Sequence, residues 1–207
     1  GMPRTPSQTE GDLLNSSRIR WLPGARYLSL RVVTDGGAGP SFMLYLTLPE
    51  GDGPFPVVLN GDGCWRYATD EIAREVLSRG YALAQFNRTE IAHDRSDAGR
   101  KAPIYRWDSE GTFGALAAWA WGYHRCVDVL TRLPEVAADK IAVTGHSRGG
   151  KTTLLAAATD DRIALTNAND SGCGGAGSFM RPHQGAERLE NILKSFPHWF
   201  GPELDTY

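Results

Sequence analysis

The chain has little of what identifies several common classes of protein. Only three of its 207 residues are cysteine, and Cys64, Cys126 and Cys173 are too few and too widely spaced for a disulfide framework or a zinc site. We expect free thiols in packed sites. No segment approaches the roughly 18 consecutive apolar residues of a membrane span, and the N-terminus has no apolar signal region. The sequence predicts a soluble chain without a targeting signal. Gly1 before Met2 is compatible with the removal of a secretion signal.

The chain also lacks a strong excess of charge of either sign. Charged residues make up 22% of the chain and hydrophobic residues 41%, and the net charge is -2. This composition is close to that of ordinary globular proteins, which excludes wholesale disorder. Nucleic acids and anionic membranes favour a basic surface, so we expect neither as a partner and instead a small polar or neutral substrate.

The apolar pattern divides the chain into a polar arm and one α/β domain. Residues 1–24 are polar and rich in serine and proline, and we expect a loosely attached arm. Residues 25–207 form the predicted domain, which opens with an antiparallel hairpin. Strands and helices then alternate, which predicts a mostly parallel sheet flanked by helices. The predicted strands cover 26–33, 41–48, 55–59, 81–86, 140–146 and 163–167, and the predicted helices cover 70–80, 111–133 and 148–158.

Two further segments hold candidate functional residues. The connection 87–108 is polar and longer than usual, a length typical of functional loops. Arg88 follows a strand there and is a candidate to line a cleft, whereas we expect His93 to be structural. Trp119 and Trp121 lie on a helix that is apolar on nearly every face, which favours core packing over a ligand platform.

The stretch 140–152 predicts a strand, a glycine turn and a helix, and it fits two motifs. Gly145, Ser147 and Gly149 match Gly-x-Ser-x-Gly, the strained turn that raises a serine hydroxyl above the sheet of an α/β hydrolase. Gly145 followed by Gly-Lys-Thr at 150–152 also matches the phosphate-binding loop of nucleotide-binding proteins. Both motifs need a strand–turn–helix setting, so local context does not separate them.

The rest of the chain favours the serine nucleophile. A phosphate loop needs a Mg²⁺-binding aspartate after an apolar strand, but the strand that begins at Ile163 becomes polar before Asp170. In a hydrolase, Ser147 attacks the ester, and the backbone N–H of Arg148 at the helix start stabilises the oxyanion. The turn at 61–65 would supply a second donor, and Asp170 would orient a histidine. The nucleotide-binding alternative stays open at this point.

Segments around these residues resemble the glucuronoyl esterase family, carbohydrate esterase family 15. The most specific are Ser147–Lys151, with its lysine, and Asn169–Gly175. Ala118–Gly122 and His198–Phe200 are similar to the family as well. His146 stands where fungal members carry a disulfide cysteine, so the chain resembles the bacterial branch.

The resemblance implies a serine carboxylic ester hydrolase that forms an acyl-enzyme and uses no metal or other cofactor. The family cleaves esters between 4-O-methyl-glucuronic acid on xylan and lignin alcohols, so the implied substrate is a small-molecule or glucuronoxylan-derived ester. Ser147 would be the nucleophile, Asp170 the acid that is usually glutamate in the family, and Arg148 part of the oxyanion site. Lys151 would hold sugar hydroxyls, and Glu187 matches a sugar-binding acid.

The family's catalytic histidine lies in a C-terminal portion beyond residue 207, so we expect an α/β-hydrolase fold that is incomplete at its C-terminus. His183 and His198 follow Ser147 and Asp170 in the right order, but the resemblance places both histidines in the binding region. A shortened parallel sheet would leave an open edge, through which copies could associate. The family as a whole implies a secreted or periplasmic protein.

Three alternatives to this function stay open. They are an esterase for acetyl or other sugar esters, a catalytically silent carbohydrate-binding relative, and a phosphate-loop nucleotide binder.

Overall fold

The computed structural model describes residues 1–20, 22–65, 68–178, 184–202 and 204. In these residues a seven-stranded sheet is flanked by five α-helices, which confirms the predicted α/β class. The strands are β1 (Thr9–Arg18), β2 (Arg26–Thr34), β3 (Ser41–Leu48), β4 (Phe55–Asn60), β5 (Ala82–Phe86), β6 (Val136–His146) and β7 (Ile163–Asn169). The helices are α1 (Asp70–Ser78), α2 (Pro103–Trp107), α3 (Ala115–Leu130), α4 (Arg148–Ala158) and α5 (Leu189–Ser195).

The sheet has an antiparallel half and a parallel half. Its strand order is β1-β2-β3-β5-β4-β6-β7. Neighbouring strands run antiparallel from β1 to β5, whereas β5, β4, β6 and β7 run parallel to one another. The predicted hairpin is therefore confirmed as β2 and β3, and it leads into the parallel strands. The carboxyl ends of β4, β6 and β7 meet at one edge, where open α/β sheets place their sites.

The expectation of a loosely attached N-terminal arm is wrong for residues 9–18. These residues form β1, which pairs with β2 along its whole length. Only Thr9 of the strand is buried, so the apolar pattern carried no signal of a strand. Main-chain hydrogen bonds to an existing neighbour hold a polar edge strand without an apolar face.

Helix α1 begins and ends where its sequence predicts. The Thr69 hydroxyl accepts a hydrogen bond from the Ile72 N–H at 3.3 Å, and Asp70 and Glu71 lie in the first turn, where the helix dipole favours negative charge. Gly80 follows the helix with a φ of 78°, a conformation that a glycine adopts without strain.

Helix α3 is the buried centre of the molecule. Trp119 and Trp121 are 0% and 2% exposed, which confirms the prediction that they pack in the core. The helix is shorter than the predicted 111–133 because the chain arrives extended at Gly114. A Cβ at Gly114 would overlap the backbone of Trp199 and Phe200, so this entry point is fixed by a tight crossing of two chain segments.

Tyr123 of α3 ties the carboxyl ends of two parallel strands together. Its hydroxyl accepts a hydrogen bond from the Gly61 N–H at 2.7 Å and donates one to the Thr144 carbonyl at 2.9 Å. Gly61 follows β4 and Thr144 belongs to β6. Burial raises the pKa of the Tyr123 hydroxyl far above its usual value, so the group stays protonated and keeps donating.

Strand β7 forms one edge of the sheet and is only thinly covered. Leu165 is 60% exposed there.

Among the described residues, no helix is long and apolar enough to cross a membrane. The long connection after β5 contains α2 and supplies several residues to the cleft described below.

Substituting Tyr123 with phenylalanine tests the bridge between β4 and β6. The change leaves the Gly61 N–H and the Thr144 carbonyl buried without their partner, so we expect Tyr123→Phe to lower the free energy of unfolding by about 1–3 kcal/mol in urea. Tyr81 is 41% exposed, and Tyr81→Phe is the matched control, for which we expect a change within about 0.5 kcal/mol. Equal losses for both variants would contradict the role of the bridge.

Candidate active site

Ser147 occupies a strained turn between β6 and α4. Its φ of 55° and ψ of -118° lie in a region that residues with a side chain rarely adopt. A Cβ at Gly145 would lie 2.6 Å from the Gly149 carbonyl carbon, so the two arms of the turn approach more closely than any residue except glycine allows. This conformation is the serine elbow that the sequence predicts.

A buried carboxylate holds the elbow in place. Asp62, 4% exposed, follows β4, and its Oδ2 accepts the backbone N–H of His146 at 2.7 Å. Its Oδ1 pairs with the Arg88 guanidinium, and both side chains of this pair are almost completely buried. A Cβ at Gly149 would overlap the same carboxylate. Asp62 therefore fixes the residues on both sides of Ser147.

Ser147 opens into a cleft of about 610 Å³. Helix α4 begins at Arg148, so the unpaired N–H groups of its first turn lie next to the serine, where they can stabilise an oxyanion. Cys64 and Trp65, from the turn after β4, line the same cleft. Its other lining residues are Arg88, Thr89, His93, Asp94, Arg95 and His146.

Asp170 follows β7, beside the elbow. The Ser147 N–H donates to the carbonyl of Asn169, the residue before Asp170, at 2.9 Å. Asp170 is exposed and has a φ of 46°, and aspartate is among the residues that tolerate this left-handed conformation. The backbone of the predicted acid thus lies one residue from a direct contact with the predicted nucleophile.

Lys151 and Glu187 form an ion pair beside the glycine-rich loop after β7. Lys151 is 4% exposed, and its Nζ donates to the Ser171 carbonyl at 2.7 Å and to the Glu187 Oε2 at 3.2 Å. The Trp199 ring centroid lies 5.8 Å from the same Nζ. Glu187 is about two-fifths exposed, so its carboxylate keeps a solvent-facing side.

The structure adds Asp94, which sequence reasoning missed. Its Oδ2 accepts from Arg148 Nη1 at 3.0 Å, and its Oδ1 lies 3.0 Å from His198 Nε2 and 2.9 Å from Trp199 Nε1. Burial alone would raise the pKa of this carboxyl, but the hydrogen bonds from Trp199, His198 and Arg148 together lower it. The only sequence signal was the position of Asp94 in the long polar connection.

The other histidines lie in different environments from His198. His124 is buried, its Nε2 lies 2.9 Å from the Ala156 carbonyl, and burial lowers its pKa, which fits a structural role. His93, also expected to be structural, is exposed and lines the cleft instead. His146 stacks on Trp65 with ring centroids 5.2 Å apart. His183 lies outside the described residues.

Lys151 and Thr152 do not form a phosphate-binding loop. A nucleotide site needs the lysine ammonium on the terminal phosphates, but Lys151 is buried against Ser171 and Glu187. The Thr152 hydroxyl donates to the Arg148 carbonyl at 2.9 Å within its own helix. The nucleotide-binding alternative is not supported.

The three cysteines are free, as predicted. Cys126 and Cys173 are buried and Cys64 is half-buried at the cleft. Burial raises the pKa of all three thiols, so none is activated as a nucleophile.

Comparison with known families agrees with this geometry. The family model described as "Glucuronyl esterase, fungi" matches residues 32–207. The chain belongs to the glucuronoyl esterase family. Among curated proteins it is similar to a 4-O-methyl-glucuronoyl methylesterase from Podospora anserina, 32% identical over 186 residues that cover 84% of this chain. It is also similar to the carbohydrate esterase MZ0003 from an unknown prokaryotic organism, 37% identical over 139 residues that cover 64% of this chain.

Solved structures of bacterial glucuronoyl esterases share the fold. The enzyme from Solibacter usitatus matches 100% of the chain with a TM-score of 0.82 and 26% identity. The enzyme from Teredinibacter turnerae matches 97% with a TM-score of 0.79 and 27% identity. The chain spans 37% and 32% of the two curated relatives and 62% and 55% of these two solved chains. These neighbours confirm the α/β-hydrolase fold and the family that the signature segments predicted.

Asp62→Asn tests the carboxylate under the elbow. The change leaves the Arg88 charge buried and unpaired, so we expect a loss of about 3–5 kcal/mol in the free energy of unfolding. Asp97→Asn is the matched control, because its pair with Arg95 is largely exposed, and loss of an exposed pair should change stability far less.

The double variant Asp62→Leu with Arg88→Met separates the unpaired charge from the loss of the pair. Since no charge is left buried in it, we expect it to be more stable than Asp62→Asn by urea denaturation. A loss for Asp62→Asn no larger than that for Asp97→Asn would contradict the role assigned to Asp62.

Proposed function

We propose that the chain carries the nucleophile and oxyanion site of a serine carboxylic ester hydrolase that acts on glucuronoyl esters. The observation that carries the proposal is the conformation of Ser147, a non-glycine residue in a strained turn at the mouth of a cleft. Strain of this kind persists only when the surroundings enforce it. Here the enforcing groups are Asp62 and the glycines at positions 145 and 149.

The proposed reaction has two steps. The Ser147 oxygen attacks the ester carbonyl while a base takes its proton, and the alcohol leaves with a proton to give an acyl-enzyme. Water then attacks the acyl carbon, which releases the uronic acid and restores the serine. In both steps negative charge develops on the carbonyl oxygen, next to the N–H groups at the start of α4 and the Arg148 side chain. The turn at 61–65 is proposed as the second donor.

The proposed acid and the proposed base rest on different observations. Asp170 is proposed as the acid that orients an imidazole, because its backbone adjoins the elbow. The base is proposed to be a histidine of the segment by which relatives exceed this chain in length. Of the described histidines, His93 and His146 share the cleft with Ser147. His146 is stacked on Trp65, and His198 is engaged with Asp94.

The substrate class follows from the relatives and from the sugar-binding candidates. Curated relatives are named 4-O-methyl-glucuronoyl methylesterases, which supports a small-molecule or glucuronoxylan-derived uronate ester here. Glu187, whose carboxylate has a solvent-facing side, is proposed to accept hydrogen bonds from sugar hydroxyls, and Lys151, paired with it from the buried side, to serve the same sugar site. A secreted or periplasmic location would suit such a substrate, and the open β7 edge would suit self-association.

A silent carbohydrate-binding relative is the second candidate. One observation favours it: among the described residues, no histidine forms a hydrogen bond with Ser147. The two candidates differ in whether Ser147 reacts when a base is supplied.

Labelling of Ser147 by a fluorophosphonate probe tests the nucleophile. Because the proposed base lies outside this chain, we expect slow labelling that added imidazole accelerates several-fold, detected by peptide mass spectrometry. Ser147→Ala should abolish labelling, and Ser195→Ala, an exposed serine, should not change it. If labelling without imidazole is fast and His93→Ala stops it, the base is His93. A chain that stays unlabelled with imidazole is the silent relative.

Lys151→Met tests sugar binding separately from chemistry. Methionine keeps the length of the buried side chain and removes the ammonium, so we expect the Kd for methyl glucuronate to rise about tenfold, the effect of losing about 1.4 kcal/mol. The small fluorophosphonate has no sugar, and its labelling of Ser147 with imidazole should match that of the parent. Unchanged sugar affinity in a folded variant would remove Lys151 from the binding site.

A further inference from the structure

Each described arginine that lines the cleft has its own aspartate partner. Arg88 is paired with Asp62 in the interior, and Arg95 is paired with Asp97, 2.6 Å between Nη2 and Oδ2. Arg148, the cation next to Ser147, is paired with Asp94 at 3.0 Å. Among the described lining residues, the charge of each arginine is therefore cancelled by a neighbouring carboxylate.

The Arg148–Asp94 pair is held from several sides. Asp94 binds one edge of the guanidinium, while the rings of Phe196 and Trp199 lie 4.8 Å from it. These two rings stack on each other at 4.0 Å. The Trp199 indole N–H also donates a hydrogen bond to Asp94. The Asp94 carboxylate, the Arg148 guanidinium and the Trp199 ring therefore each contact the other two. A guanidinium has five N–H donors, and its remaining donors are free to meet a neutral oxygen in the cleft.

The charge of Arg148 has opposite consequences for substrate and product. Hydrolysis of a neutral uronate ester by water gives an alcohol and a uronic acid, which loses its proton at neutral pH and becomes an anion. An unpaired arginine beside the serine would bind that carboxylate bidentately and more tightly than the ester. A paired arginine still donates hydrogen bonds but offers little net charge.

We infer that Asp94 is a specificity and positioning residue, which fixes the Arg148 guanidinium and cancels its charge so that the cleft favours the neutral uronate ester over the uronate anion. The inference rests on the proposed function, because it takes the cleft to bind a uronate. Asp94 acts through Arg148 and is not itself placed against the ester.

The test compares a neutral methyl ester with the anion of the same uronic acid. Methyl glucuronate and sodium glucuronate are titrated into the Ser147→Ala chain, which prevents turnover, and binding is followed by NMR at the indole N–H of Trp199. We expect Asp94→Asn to shift the ratio of the two Kd values about tenfold towards the anion. Asp94→Glu restores the charge and should keep the preference for the ester. Asp161→Asn removes the same charge at an exposed position and should leave the ratio unchanged.

The outcomes distinguish this inference from the proposed function. A ratio that stays within twofold in folded Asp94→Asn, or moves equally in Asp161→Asn, overturns the role of Asp94. If the parent binds neither ligand, the proposed uronate site fails, and the pair is then tested without sugar by phenylglyoxal modification of Arg148. Asp94→Asn should speed that modification severalfold over the parent, as mapped by mass spectrometry. Equal rates would overturn the pairing.

Discussion

The buried carboxylate of Asp62 is the constraint on which the site depends. It joins three chain segments: the turn after β4, where it resides, the turn after β5 through Arg88, and the serine elbow through His146 and Gly149. Ionic groups removed from water tolerate little displacement, because a lengthened contact loses attraction without regaining solvent. The strained backbone conformation of Ser147 is therefore maintained by a rigid ion pair and not by a flexible loop.

Two further polar side chains connect the site to the segments around it. Tyr123 ties β4 to β6 beneath the elbow, and Asp94 ties the first residue of α4 to the segment that contains His198 and Trp199. Core, elbow and rim are thus connected by polar contacts between named side chains. The network is not fully satisfied, since Arg88 Nε and His198 Nδ1 are buried without a hydrogen-bond partner among the described residues.

Local signals allowed much of this to be predicted from the sequence. The elbow follows from glycine spacing at 145 and 149, the cap of α1 from Thr69 and its acidic first turn, and the core role of Trp119 from an all-apolar helix. Each of these signals depends on residues close together in the chain. The family followed from the signature segments, which are also short.

What could not be predicted rests on distant contacts. Asp62 and His146 are in contact although they are 84 positions apart in the sequence, and Asp94 and Arg148 are 54 positions apart. Nothing in the local sequence distinguishes these aspartates from exposed ones. Strand β1 was missed because its pairing with β2 uses main-chain groups, which every residue has. His93 was misjudged for a related reason, since its exposure at the cleft is set by the path of a long connection.

The two edges of the sheet differ in how they would meet another chain. Strand β1 carries Glu10, Asp12 and Arg18 and has a bulge between Leu13 and Asn15, and charges and bulges are features that block edge-to-edge addition. Strand β7 has a register irregularity of its own against β6 and an exposed leucine, but no charged residue. A strand added beside β1 would have to place its side chains among the three charges of β1, so the N-terminal strand protects its own edge of the sheet.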